Sequence, residues 1–216
     1  MARIVVLGGT GYAGSNIVAV AAGKGHEVVS YSRTLPATRV EGVNYQTGDV
    51  LESSLLEQAV VGADVVVSAL SPRGALEGAG KLRSIEGKVA ELAAKSGVRF
   101  GVVGGAGSLL VAEGGPKVAE TDGFPDGFKA EAAELAGVLD DLRASDESLD
   151  WFFVSPAGGF GAWVPGEATG VFRVGGDVLL VDANGDSSIS GADLALAIVN
   201  EIETPAHRRA RFTVAY

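Results

Sequence analysis

The chain has 216 residues, no cysteine and a formal net charge of −10. Hydrophobic residues make up 47% and charged residues 20%, enough apolar mass for a sizeable core and too much for disorder. The missing thiols exclude disulfides and cysteine-based metal sites, and the acidity argues against nucleic acid or an anionic membrane as partner.

No apolar run is long enough to span a membrane, because Gly, Ser and charges interrupt each one. The sequence enters a strand almost at once, so we expect no signal peptide. We expect a cytoplasmic protein, monomeric or homodimeric, with no metal.

The first element organises the rest. Residues 4–7 are a short apolar run, the mark of a strand buried on both faces. Gly8, Gly11 and Gly14 follow, and then an apolar, alanine-rich helix through 17–22. Strand, glycine turn and helix form the setting in which such a triplet points to a dinucleotide. Gly8 would turn the chain, Gly11 would admit the pyrophosphate, and Gly14 would let the helix pack on the strand. The unpaired amides at the helix start would then face the phosphates, helped by the helix dipole.

Residues 27–31 read as the second strand. Its end carries Ser32 and Arg33 where an acid would select NAD. A guanidinium fork suits a 2′-phosphate, so the sequence favours NADP(H) over NAD(H), with Ser32 adding a hydroxyl and Arg39 near. Residues 43–46 read as a third strand. Asp49 and Val50 follow, Asp49 placed either to meet the adenine amino group or to cap the helix of residues 52–60.

Residues 63–70 form a strong fourth strand, whose end, Ser68 to Ser71, should pass beside the ribose and pyrophosphate. A helix is expected over 76–96 and a fifth strand over 98–103. Gly104 to Ser108 then make a glycine-rich loop on the nicotinamide side, where Ser108 is a candidate donor to substrate or simply a turn residue. After a loop over 114–127, a helix over 128–144 leads to a sixth strand, 150–154, ending at Pro156. Phe160 and Trp163 could stack on a planar substrate or fill a core.

The remainder reads as a hairpin of 170–174 with 177–181, a helix over 190–203 capped by Ser190, and a strand over 211–214. We expect this part to cap the nicotinamide end. The segment 182–193 resembles a calcium loop, but Ser187 stands where glycine is wanted and Asp193 where glutamate is wanted. An Asn-Gly turn before a capped helix explains it as well.

These motifs, with Gly48-Asp49-Val50, Trp151 to Pro156 and the closing 211–216, resemble the atypical short-chain dehydrogenase/reductases. The resemblance is to the NAD(P)H-binding group that includes candidate NADH-flavin reductases. The NmrA-like and biliverdin reductase B-like proteins are more distant.

It implies a doubly wound Rossmann sheet as one domain, 1–216, with 157–216 contributing the substrate-side cap. It also implies Thr10, Tyr12 and Ala13 at the pyrophosphate, Arg33 at the 2′-phosphate, Asp49 at the adenine, Ser68 to Leu70 at the ribose and Pro156 at the nicotinamide.

One departure bears on chemistry. The superfamily's Tyr-x-x-x-Lys pair is missing: Tyr12, Tyr31 and Tyr45 precede Asn16, Leu35 and Asp49 by four, and Tyr216 is last. Phe128-Lys129 stands in that region. This favours an NAD(P)H-dependent reductase of a flavin, quinone or similar planar acceptor, which needs no protein acid, with Ser108 and Lys129 orienting the substrate. A non-catalytic NADP(H) sensor is the alternative.

Overall fold

A computed structural model describes residues 1–216. Five helices flank one sheet. The strands are β1 (Arg3–Leu7), β2 (Glu27–Ser32), β3 (Val43–Thr47), β4 (Val65–Ser68), β5 (Arg99–Val103), β6 (Trp151–Ser155), β7 (Arg173–Gly175) and β8 (Ala210–Ala215). The helices are α1 (Tyr12–Gly23), α2 (Ser53–Val60), α3 (Lys81–Ser96), α4 (Asp126–Arg143) and α5 (Gly191–Glu203).

The sheet order is β3-β2-β1-β4-β5-β6-β8-β7. Every pair is parallel except β7 with β8. This is the doubly wound Rossmann arrangement expected from the sequence.

The two-residue period of β1 explains why its whole run is apolar. Ile4 and Val6 join a core with Ile17 and Val18 of α1 and Ile198 and Val199 of α5. Val5 and Leu7 join the opposite core with Leu56, Val89 and Val138 of α2, α3 and α4. Central burial on both faces leaves no position for a polar residue. The strand order reverses between β2-β1 and β1-β4, which opens a crevice at the carboxyl ends of the strands.

The C-terminal part differs from the expectation. Residues 170–181 do not pair with each other. β7 pairs instead with β8, Val174 opposite Val214, while Val178 bridges to Leu110. Nor does α5 cap the crevice. Its stripe of Leu194, Ala195, Ile198 and Val199 is buried against the sheet beside α1, because four apolar positions at helical spacing need a core to cover them. Ser190 does cap it, its Oγ accepting from the Asp193 amide at 3.1 Å.

The helix expected over 76–96 begins only at Lys81. Gly78 and Gly80, at φ 118° and 79°, break the chain before it, and residues 74–76 form a separate short turn.

A buried ion pair ties β5 to α5: Arg99 Nη2 lies 2.6 Å from Glu201 Oε1. Burial pushes the Glu201 carboxyl up, but Arg99 and the amides of Ala206 and His207 outweigh it and hold it below its usual range.

Candidate functional site

The crevice is built around the β1–α1 turn. Gly8 sits at φ 79°, and the amides of Gly8 and Gly9 both donate to the Tyr31 carbonyl at 2.9 and 3.2 Å. A Cβ on Gly14 would lie 2.2 Å from the Gly8 oxygen and 2.8 Å from Gly9 Cα, so only glycine lets α1 start this close to β1. A Cβ on Gly11 would meet nothing nearer than 3.4 Å, and Gly11 is exposed. The three glycines therefore do three different jobs: turn, open face and close packing. Gly9 was not singled out in the sequence, yet a Cβ there would collide with Ser30 Oγ at 2.2 Å.

The amides of Thr10, Tyr12, Ala13 and Gly14 find no acceptor in the protein. Four donors at a helix start, beside an open glycine, form an anion cradle. Their number and spacing suit the pyrophosphate of a dinucleotide. Tyr12 offers only its amide here. Its hydroxyl donates to the Pro165 carbonyl at 2.9 Å and accepts from the Gly191 amide at 3.0 Å.

At the end of β2, Arg33 is exposed and pairs with no carboxylate. Its Nη1 lies 3.9 Å from where a Gly74 Cβ would stand, so it leans over the loop after β4. Ser32 turns away from a phosphate role: its hydroxyl donates to the Thr34 carbonyl at 2.8 Å. Asp49 does not cap α2. Its Oδ1 accepts from the Leu51 amide at 3.0 Å, and Glu52 occupies the cap position. Val50 packs against the core under α2.

At the end of β4, Ser68 is fully buried and donates to Glu86 Oε1 at 2.6 Å. Its side chain is therefore not free for a ribose, and that edge is left to Ala69 and Leu70, which are half-buried. Glu86 was missed in the sequence because its glutamate looks like one more charge on a solvated helix face. Burial pushes its carboxyl up to about 7, the Ser68 hydrogen bond opposing this.

Beyond β5, the glycine loop is explained more by packing than by ligand approach. A Cβ on Gly104 would sit 2.0 Å from the Phe153 ring, and one on Gly107 2.7 Å from Ala132 Cβ. The Gly104 amide is also taken, by the Val154 carbonyl at 2.8 Å. Ser108 is buried, and its Oγ accepts from Arg211 Nη1 at 2.9 Å. Lys129 lies exposed on the first turn of α4, 2.7 Å from Asp126. Pro156 is buried at the end of β6.

The structure thus brings the glycine loop, Ala69, Leu70, Ser108 and Pro156 to one edge of the sheet. It leaves Lys129 on the rim. The calcium reading fails, because Asp193 is turned away to Tyr216, Thr169 and Gly170, and Asp182 holds the amides of Asn184 and Asp186. No group of three or more His, Asp or Glu side chains is placed to hold a metal.

The NAD(P)H-binding family profile matches residues 8–205, most of the chain and the whole crevice. The chain belongs to the NAD(P)H-binding family.

Within that family, it is 36% identical over 215 residues to the uncharacterised protein YwnB of Bacillus subtilis, covering 98% of this chain and 97% of YwnB. A candidate exported protein of Burkholderia pseudomallei superposes with a TM-score of 0.86 at 40% identity, over 100% of both chains. A candidate NADH-flavin reductase of Streptococcus pneumoniae superposes with a TM-score of 0.84 at 32% identity, covering 100% of this chain and 99% of that one. No helix of this NAD(P)H-binding protein is long and apolar enough to cross a membrane.

Proposed function

We propose that this protein is an NADPH-dependent reductase of a planar acceptor, a flavin, a quinone or a related ring. The observation that carries the proposal is a binding edge with ready phosphate donors and no phenol–lysine pair beside it. Bound NADPH supplies a hydride at its nicotinamide; the chain's work is to hold the donor, admit the acceptor and keep the two in register.

The amides of Thr10, Tyr12 and Ala13 hold the pyrophosphate. Arg33 meets the 2′-phosphate as an unpaired fork of donors, which is why NADPH is preferred over NADH. Ser108 offers its hydroxyl to an acceptor oxygen or nitrogen as negative charge builds there. Lys129 contributes a cation at the rim, and Pro156 borders the nicotinamide. A ring acceptor can take its proton from water, so no protein acid is required.

The relative named a candidate NADH-flavin reductase supports this choice of acceptor. Residues 1–216 act as one domain in this reading, with the segment between β6 and β7, rather than α5 or β8, covering the substrate side. Absence of cysteine suits the reducing cytoplasm, where NADPH is maintained.

The deciding experiment is NADPH oxidation by the purified chain, followed at 340 nm with riboflavin, FMN and menadione as acceptors. Turnover with NADPH above that with NADH is expected. Tight NADP+ binding in calorimetry without turnover on any of the three would replace this reading by the second one, a sensor whose surface changes with the nucleotide. The missing Tyr-x-x-x-Lys pair motivates both.

A further inference from the structure

Residues 158–166, which follow β6, form a strap along the carboxyl edge of the sheet. Its base is held by the Gly158 and Gly159 amides, which donate to Ser187 Oγ and O at 3.0 and 2.7 Å. Phe160 packs on the Tyr12 ring, centroids 5.3 Å apart. The strap then turns tightly, the Val164 amide donating to the Gly161 carbonyl at 3.0 Å. It is pinned again where Tyr12 donates to the Pro165 carbonyl.

At the tip of that turn stands Trp163. Its indole folds back over Gly161, whose φ is 152°, and a Cβ on Gly161 would come within 2.5 Å of the ring. The indole also stacks on Phe128 in the first turn of α4, with centroids 6.1 Å apart and planes 24° from parallel. Both rings stay open to solvent, Trp163 at 64% and Phe128 at 41%. Two large aromatic side chains held in a fixed stack, yet left wet, are costly for a monomer surface and point to something that covers them.

Position says what that is. Tyr12 opens α1 after β1, and Phe128 opens α4 just ahead of β6. A strap anchored on both spans the nicotinamide half of the crevice rather than the adenine half. The nucleotide's phosphates are already met at the Tyr12 end. Lys129, next to Phe128, lies at the edge of the stack, 2.7 Å from Asp126, so the platform itself offers ring faces with the charges to one side.

We propose that Trp163 and Phe128 form the stacking platform for the acceptor, and that Trp163 decides in favour of planar ring systems. This rests on the reductase reading and assigns the acceptor's subsite within it. Tyr12 is the positioning residue, joining the phosphate cradle to the strap that carries the platform.

The test uses the full chain with FMN as probe. Trp163→Ala should raise KM for FMN about tenfold with NADP+ affinity unchanged, the size expected for losing one aromatic stack. Trp163→Phe should stay within about threefold of the parent, since a ring remains. Gly161→Ala, which forces a Cβ into the indole, should behave like Trp163→Ala while keeping the ring in the chain.

The chain has two tryptophans, and Trp151 is buried, so Trp151→Phe leaves Trp163 as the sole reporter. FMN added to the NADP+ complex should quench its emission. Unchanged KM in the Trp163 and Gly161 variants together with unquenched emission overturns the platform. Quenching without any NADPH oxidation keeps the platform and overturns the reductase reading instead.

Discussion

The Nη1 of Arg211 donates to both the Oγ and the carbonyl of Ser108, at 2.9 and 3.0 Å. Arg211 is buried, and its Nε donates to Asp177 at 2.7 Å, which also accepts from Arg143 at 2.9 Å. A guanidinium only donates, so it occupies a lone pair of the serine and leaves the hydroxyl proton to point elsewhere. No group of the protein accepts that proton.

Ser108→Ala should therefore lower kcat for acceptor reduction by about tenfold to a hundredfold, as loss of one oriented donor does, with NADP+ affinity unchanged. Ser108→Thr should restore most of it. Arg211→Lys in the Ser108→Ala background should have no further effect on kcat. Wild-type turnover in Ser108→Ala would make Ser108 a turn residue and nothing more.

In the proposed function Arg33 carries the coenzyme preference. Arg33→Ala should weaken NADP+ binding in calorimetry about tenfold to a hundredfold, the size of a lost charge-assisted contact, and change NAD+ binding less than about twofold. Equal weakening of both would detach Arg33 from the 2′-phosphate.

Gly14 and Gly11 should separate stability from binding. Gly14→Ala puts a Cβ against backbone that cannot yield, and should cost about 1–3 kcal/mol in chemical denaturation as well as nucleotide affinity. Gly11→Ala meets only the Gly8 oxygen at 3.4 Å, so its unfolding midpoint should hold while NADP+ affinity falls.

Glu86 should set a pH dependence of stability. Its carboxyl titrates near 7 in the fold against an ordinary 4.5 when unfolded. Between those values the folded chain keeps a proton that the unfolded chain has lost. Stability therefore falls as pH rises through that window, by about 3 kcal/mol in full. Glu86→Gln keeps the acceptor for Ser68 and has no proton to lose, so its unfolding free energy should be flatter from pH 5 to 8 and higher above pH 7. A variant with the parent's slope would assign the dependence to another group.

The doubly wound sheet and the glycine turn were legible in the sequence because both rest on local patterns. A fully apolar β1 can only be central, and glycines at 8, 11 and 14 map onto one turn. What misled was mostly long-range. Ser68 reads as a ribose ligand, but its hydroxyl is taken by Glu86, eighteen positions on, while Ser32 is taken locally by the Thr34 carbonyl. Gly104 reads as room for a ligand, but the room belongs to Phe153, far along the chain. The apparent hairpin of 170–181 had the right alternation, and only the arrival of β8 as a neighbour decided what β7 would pair with. Arg211 gave no local signal, since a lone arginine in a strand reads as a solvated edge.

β8 lies between β6 and β7, and it brings Arg211 to a serine 103 positions earlier. The β1–α1 turn depends on the same end of the chain: α5 closes the core over α1, and the Gly191 amide donates to the Tyr12 hydroxyl. During synthesis both the cradle and the seat of Ser108 therefore wait for the last helix and strand to leave the ribosome.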